Sequence, residues 1–226
     1  MFYARREHLS SQIWFLFFDA EDQGYDEGGA GIVGWDWVEG STSFVNSIDD
    51  FYDSQTEEFD AMILLDMVGG TNLRFIDEGL STSSLLDELF AIGRSLGYTS
   101  TFPLNPISRS IIDDHRAFIN MGIPSADLII NFWDNPNWPF HHTTQDNLSN
   151  IANNSLDITG KTVEQFIYNN YFNTTIEDYK TNYPWFVDID RSYLEIIMFL
   201  IIIVASGAII ILTMNLIKQE PSRRTN

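Results

Sequence analysis

The sequence has no cysteine among its 226 residues. This absence excludes disulfide bonds and any zinc site built from thiolates. Basic residues are also scarce, since 12 Lys and Arg face 32 Asp and Glu for a net charge of -20. Nucleic-acid binding depends on Lys and Arg that neutralise phosphates, so we expect no nucleic-acid partner. The excess acidity instead predicts a well-hydrated surface, and the length suits one domain with an appendage.

Charged residues are also missing from one stretch near the C-terminus, residues 196–217 (IIMFLIIIVASGAIIILTMNLI). A helix that crosses the bilayer core needs about 20 apolar residues, and this stretch is long enough. Lys218, Arg223 and Arg224 follow it, whereas Glu195 precedes it. Because basic flanks favour the cytoplasmic side, we expect a single-pass cell-membrane protein with its C-terminus in the cytoplasm and its main domain outside the cell.

This reading divides the chain into four parts. They are a folded domain (1–172), a juxtamembrane stalk (173–194), a transmembrane helix (195–217) and a cytoplasmic tail (218–226).

Two apolar runs predict buried strands that end at carboxylates. Residues 13–18 (IWFLFF) lead into Glu21 and Asp22, and residues 59–68 (FDAMILLDMV) contain Asp66. Continuous apolar runs are typical of parallel strands covered on both faces. Open α/β sheets bind ligands beyond the carboxyl ends of such strands. We therefore expect the three acidic side chains to meet at one edge of a sheet.

Helical patterns alternate with the strands. We predict helices over 41–48, 81–96 and 156–171, and a short helix after Asp113 and Asp114 that leads into a strand at 125–130. This alternation indicates an α/β fold.

Two loops carry further candidate residues. The Gly-rich segment 23–39 contains Trp35 and Trp37, which either wall a substrate pocket or belong to a solvated surface loop. The segment 139–147 (PFHHTTQDN) contains His141 and His142. Histidine and carboxylates are the zinc ligands open to a chain without cysteine, and a hydrolytic site also needs a base. Each residue, taken alone, could equally be a cap or a hydrogen-bonded structural side chain.

Four blocks in order resemble the zinc-dependent aminopeptidases and carboxypeptidases of clan MH, which also include the glutaminyl cyclases. The blocks are IWFLFFDAED, LLDMVGG, DDHRAFINMGIPSADLI and FHHTTQDNLSNI, and they span roughly residues 13–172. The resemblance implies a three-layer sandwich around a mixed, mostly parallel sheet, here lacking its N-terminal strands. It also implies peptide substrates and a cofactor of one or two zinc ions.

The same resemblance implies residue roles. Glu21 becomes the general base or acid, and Asp113 or Asp114 a supporting carboxylate. The implied zinc ligands are Asp22, Asp66 and His142. In the cyclases, the carboxylate that matches Asp66 instead hydrogen-bonds the catalytic Glu. The implied substrate pocket is lined by Trp35, Trp37 and His141.

Two features depart from the family pattern. The second acid of the pair is Asp22 rather than Glu, and its shorter side chain requires the backbone to approach the metal. The family's His-X-Asp strand and bridging Asp have no counterpart in residues 1–12. We therefore expect a truncated or misassigned start, with an inactive homologue as the alternative.

Taken together, the sequence predicts a membrane-tethered zinc exopeptidase of the aminopeptidase type. A glutaminyl cyclase of the same fold is the nearest alternative. A non-catalytic, membrane-anchored binding domain is the alternative from another class.

Overall fold

The computed structural model describes residues 8–25, 31–135 and 138–172, which belong to one compact unit, Met1–Asn173. Four helices and four strands lie within these ranges. In chain order they are α1 (Glu39–Asn46), β1 (Met62–Asp66), β2 (Asp77–Glu78), α2 (Ser83–Ser95), β3 (Ser108–Arg109), α3 (His115–Asn120), β4 (Ser125–Ile129) and α4 (Asn153–Tyr171). Short 3-10 turns occupy Ile48–Asp50 and Leu148–Asn150.

Strands β1 and β4 form a parallel pair at the centre of this unit. Their register runs from Met62 opposite Ser125 to Asp66 opposite Ile129. Parallel neighbours need a crossover connection, and the chain between them supplies β2, α2, β3 and α3. The α/β class and the predicted strands within 59–68 and 125–130 are thus confirmed, and Asp66 lies at the carboxyl end of β1 as expected.

A second parallel pair joins β2 to β3, with Asp77 opposite Ser108 and Glu78 opposite Arg109. Two residues per strand are too few to leave a periodic pattern, so the sequence did not predict this pair. It nevertheless brings Glu78 beside the segment that precedes α3.

The larger core lies between α2, α4 and β4. Buried residues of α2, among them Leu89 and Phe90, pack with Leu128 of β4 and Phe166 of α4. The predicted helices over 81–96 and 156–171 are confirmed as α2 and α4, each with a one-sided apolar stripe.

A smaller apolar cluster surrounds α3. It contains Phe118 and Ile123, with Leu16, Phe18 and Phe44 packed against it. The predicted short helix after Asp114 is confirmed as α3. Gly122, with φ of 87°, turns the chain from α3 towards β4.

The prediction of a strand buried on both faces at residues 13–18 is wrong. The segment belongs to no strand, and only alternate side chains, Leu16 and Phe18, turn towards α3. Phe15 is 75% exposed and Phe17 is 94% exposed. The physical reason is that the described residues supply a packing layer on one side of this segment and no hydrogen-bonded strand beside it.

Across residues 8–25, 31–135 and 138–172, no helix has the length and apolar character needed to cross a membrane. The predicted stalk, span and tail lie outside these residues and stay predictions.

The packing of α2 yields a first test. A Cβ added at Gly93 would stand 2.2 Å from Cδ2 of Phe102, a buried ring that also contacts Phe75 and Phe90. We expect Gly93→Ala to lower the free energy of unfolding by about 1 to 3 kcal/mol, because the ring must move within a close-packed core. Urea denaturation measures the change.

Gly160 provides the matched control, since it lies in the interior of α4 with nothing within 4 Å of the added Cβ. Gly160→Ala should stabilise the chain by about 0.5 to 1 kcal/mol through helix propensity alone. Equal effects of the two substitutions would contradict the packing described for Gly93.

Candidate active site

Carboxylates from four separate segments come together beside the β1–β4 pair. Glu21 follows the segment 13–18, Asp66 ends β1, Asp113 precedes α3 and Asp127 lies within β4. Each of them interacts electrostatically with at least two of the others. We call these four residues the acid cluster. The expected meeting of Glu21 with Asp66 is therefore observed.

Glu21 has an acid strength suited to proton transfer at neutral pH. Its partial burial, followed by the negative charges of Asp113, Asp114 and Asp22, raises its pKa to about 7. Burial and like charges both disfavour the ionised form of a carboxyl group. Glu21 can therefore hold or release a proton near pH 7.

Asp66 and Asp113 behave in the same way. Burial and then the charge of Glu21 raise the pKa of Asp66 to about 7, while burial and then the charge of Asp66 raise the pKa of Asp113 to about 7. The backbone amide of Asp114 donates to Oδ1 of Asp113 at 2.7 Å and opposes part of this shift. The two groups thus titrate as part of one interacting set.

Asp114 is buried next to the acid cluster. Burial raises its pKa, while a hydrogen bond from Ser41 and the charge of His115 act in the opposite direction. The sequence left Asp113 and Asp114 as alternatives. Both raise the pKa of Glu21, so the structure brings both to the site.

The sequence analysis did not identify Asp127 as a site residue. It is fully buried, and neither carboxylate oxygen has a hydrogen-bond partner within the described residues. Burial, followed by the charges of Asp113 and Asp66, raises its pKa well above the ordinary value. The available signal was one acidic residue inside an otherwise apolar strand, because such a residue is rarely buried without a role.

Strained backbone flanks the predicted site residues. Ala20, Met67 and His142 have φ of 55°, 49° and 55°, in the left-handed region that side chains other than glycine seldom adopt. Ala20 precedes Glu21 and Met67 follows Asp66. Such conformations collect at functional sites, where the surrounding fold holds them in place.

The start of α1 holds the Glu21 segment. The amide of Val38 donates to the carbonyl of Glu21 at 2.9 Å, and the amide of Glu39 donates to the carbonyl of Ala20 at 3.2 Å. A Cβ at Gly40 would lie 2.1 Å from the carbonyl oxygen of Asp19, so this close approach requires glycine.

The remaining predicted zinc ligands do not gather around Asp66. Asp22 is exposed, and its Oδ1 accepts a hydrogen bond from Gln23 at 2.6 Å. His142 is exposed and stacks on His141 with ring centroids 3.9 Å apart. Across the described part of the chain, no three His, Asp or Glu side chains are arranged to hold a metal ion. These residues alone therefore do not fit a zinc site, and the ligand roles stay predictions.

The predicted pocket residues lie in two places. Trp35 and Trp37 are partly exposed in the loop before α1, where Trp37 lies against Gly24. His141 stacks on Phe132 at 4.0 Å, and burial, followed by the charge of His142, lowers its pKa. No contact within the described residues joins the two tryptophans to His141, so the shared pocket stays a prediction.

A buried carboxylate–imidazole pair, Glu78 and His115, lies next to the segment that carries Asp113 and Asp114. Oε2 of Glu78 lies 3.1 Å from Nε2 of His115, and both side chains are fully buried. Burial alone would raise the pKa of Glu78. Hydrogen bonds from His115, the amides of Ile111 and Leu80, and Ser81 outweigh that effect and lower it to about 2. Glu78 is therefore fully ionised at neutral pH, whereas the acid cluster titrates there.

Comparison with known proteins identifies the family. The profile of peptidase family M28 matches residues 1–167. The chain belongs to peptidase family M28. A comparison with curated proteins returned no match.

Solved structures similar to this chain include peptidases and glutaminyl cyclases. A Zn-dependent exopeptidase from Parabacteroides distasonis is 31% identical, with a TM-score of 0.57 over 68% of this chain and 53% of that one. A glutaminyl cyclase from Bacteroides thetaiotaomicron is 31% identical, with a TM-score of 0.58 over 68% and 52%. A leucine aminopeptidase precursor from the same organism is 31% identical, with a TM-score of 0.57 over 68% and 51%. The chain thus spans about half the length of the structures it matches.

The acid cluster should make stability depend on pH. Glu21, Asp66 and Asp113 have raised pKa values in the folded chain, so the folded state binds more protons than the unfolded state between about pH 4 and about pH 7. The stability that the protonated forms of these groups contribute is fully present below about pH 4, and it is lost as the groups ionise towards pH 7. Because the three groups titrate as one interacting set, the effect is smaller than the sum of three separate shifts. We expect the free energy of unfolding to fall by at least about 3 kcal/mol across this range, which is the effect of one such shift.

Urea denaturation of the metal-free chain at a series of pH values measures this slope. Asp66→Asn removes one ionisable member and should flatten the curve. A free energy of unfolding that rises steadily across this range would show that the acidic groups are not crowded as described.

Proposed function

We propose that this chain provides the proton-transferring part of an exopeptidase site that releases N-terminal residues from peptides. The observation that carries the proposal is the convergence of Glu21, Asp66, Asp113 and Asp127 from four separate segments beside the β1–β4 pair. This crowding raises the pKa of Glu21 to about 7, which suits acid–base catalysis at neutral pH. Membership of a peptidase family makes peptide hydrolysis the first reaction to consider.

In this reaction Glu21 serves as general base and then as general acid. It takes a proton from the water that attacks the scissile carbonyl, and it returns that proton to the departing amine. Asp113 lies next to Glu21 in the acid cluster, and its charge raises the pKa of Glu21, which keeps the proton transferable. The charge of Glu21 in turn helps to raise the pKa of Asp66 to about 7, so Asp66 also favours its neutral form beside Glu21.

Zinc enters the proposal through the relatives. One of them is described as a Zn-dependent exopeptidase, and we propose zinc, one or two ions, as the cofactor. Asp22, Asp66 and His142 are the proposed ligands. We also propose the relatives' three-layer sandwich, with further strands beside residues 13–18, as the arrangement in which these ligands would meet.

A second candidate is glutaminyl-peptide cyclisation, which the cyclases among the solved relatives support. One structural observation favours it. Asp66 lies close enough to Glu21 for the charge of Glu21 to raise its pKa, and the resemblance gives the matching carboxylate of the cyclases a hydrogen bond to the catalytic Glu. In cyclisation Glu21 would move a proton from the substrate's α-amine towards departing ammonia. The two reactions differ in product and not in the role of Glu21.

The decisive experiment incubates the full chain and zinc with two peptides that differ only in their first residue, Leu or Gln. Mass spectrometry separates loss of the first residue from loss of ammonia. With zinc bound, we expect hydrolysis of the Leu peptide, with a rate that rises through about pH 7 as Glu21 ionises. Glu21→Gln should lower the rate by about 10²- to 10⁴-fold, because general base catalysis is lost.

Asp87→Asn serves as the control, since it removes an exposed carboxyl group from α2 outside the acid cluster. It should leave the rate unchanged. Full activity in Glu21→Gln would disprove the proposed role. Cyclised product without hydrolysis would select the cyclase, and the absence of both products would favour a non-catalytic binding domain.

We further propose that residues 196–217 anchor the protein in the cell membrane, with the site outside and the C-terminus in the cytoplasm. Support comes from the length of the uncharged stretch and from the basic residues after it. Protease added to intact cells should remove the domain and leave a C-terminal tag protected. A protected domain with a digested tag would reverse the orientation. Release by alkaline carbonate would exclude the span.

A further inference from the structure

Glu78, at the end of β2, accepts more hydrogen bonds than any other carboxylate in the described part of the chain. Its Oε1 accepts from the amide of Leu80 at 3.1 Å. Its Oε2 accepts from the amide and the hydroxyl of Ser81 at 2.7 and 2.8 Å. These bonds close the turn between β2 and α2. The side chain is fully buried, so water does not compete for them.

Two further donors come from the segment that carries Asp113 and Asp114. The amide of Ile111 donates to Oε1 of Glu78 at 3.1 Å, and Nε2 of His115 lies 3.1 Å from Oε2. Nε2 must carry the proton, because an ionised carboxylate only accepts hydrogen bonds. Glu78 therefore holds this segment at both ends, with the two aspartates between its contacts.

A third connection reaches β4. The amide of Asp127 donates to the hydroxyl oxygen of Ser81 at 3.0 Å, and that hydroxyl donates to Glu78. One carboxylate thus connects the backbone beside Asp127 to the backbone around Asp113. Every group that hydrogen-bonds the carboxylate of Glu78 is a donor. Gln at this position would turn an amide N–H₂ towards other donors.

We propose that Glu78 is a positioning residue, which fixes the two backbone segments from which Asp113 and Asp127 reach the acid cluster. It does not take part in proton transfer itself. All of its hydrogen bonds go to the β2–α2 turn, Ile111 and His115, and none goes to a carboxyl group of the acid cluster. The functional importance of this position rests on the proposed function, but the arrangement itself can be tested without any activity.

The experiment compares the wild-type chain with Glu78→Gln by residue-resolved amide hydrogen exchange. The informative amides are those of Asp114, which donates to Asp113, and Asp127, which donates to Ser81. Neither bonds Glu78 directly. We expect both to lose at least about tenfold in protection, while amides within α4 keep theirs, because local opening exposes only the loosened segments.

Phe166→Leu is the matched control, since it loosens the core between α2 and α4 without touching Glu78. Its effect should be a general loss of protection, α4 included. The same general pattern in Glu78→Gln, or unchanged protection at Asp114 and Asp127, would overturn the proposal, because Glu78 would then contribute to overall stability alone.

His115→Gln provides a second variant if Glu78→Gln does not fold. It weakens the contact at the start of α3 and leaves the Ser81 contacts in place. We expect loss of protection at Asp114 but not at Asp127, and equal loss at both would contradict the separate connections.

Peptide turnover then separates this proposal from the function. If the wild-type chain shows no turnover but Glu78→Gln shows the local loss of protection, the proposed function is rejected and the positioning role of Glu78 is kept. In a chain that turns over substrate, Glu78→Gln should lower kcat with little change in KM, since it displaces proton-transferring groups. A change in KM alone would count against the positioning role.

Discussion

The parallel pairing of β1 with β4 is the constraint on which the site depends. It places the end of β1, with Asp66, beside the strand that contains Asp127. The crossover between the two strands must then return through α3, which brings Asp113 and Asp114 to the same edge. Because a one-residue slip would turn every side chain of a strand to the opposite face, the register decides whether these carboxyl groups meet at all.

Acidic residues in this site show how environment decides acid strength. Asp127 and Glu78 are both buried, yet their pKa values move in opposite directions. Asp127 has no hydrogen-bond donor within the described residues and several negative neighbours, so its neutral form is favoured. Glu78 is surrounded by donors, so its ionised form is favoured. The fold thus keeps one ionised carboxylate close to carboxyl groups whose neutral forms are favoured.

Long periodic elements could be predicted from the sequence, whereas features made by contact between distant segments could not. The strand at Asp66 and the helices α2 and α4 follow from local patterns, and the family blocks pointed to Glu21 and Asp66. Glu78 and Asp127 were missed, because a two-residue strand and a single acid in an apolar run leave no local signal of their partners. The prediction of a buried strand at residues 13–18 failed for the complementary reason. An apolar run shows that burial is favourable, but only the packed layers around it show on how many sides burial occurs.

The exposed rings of Phe15 and Phe17 have a consequence for behaviour in solution. They form an apolar ridge on a chain whose net charge is -20. At low ionic strength, repulsion between the acidic surfaces keeps copies apart, although each copy presents a surface that favours association. Salt shortens the range of that repulsion to about 10 Å at 0.1 M, while contact between apolar rings is unaffected. We therefore expect moderate salt to favour contact between these rings in neighbouring copies.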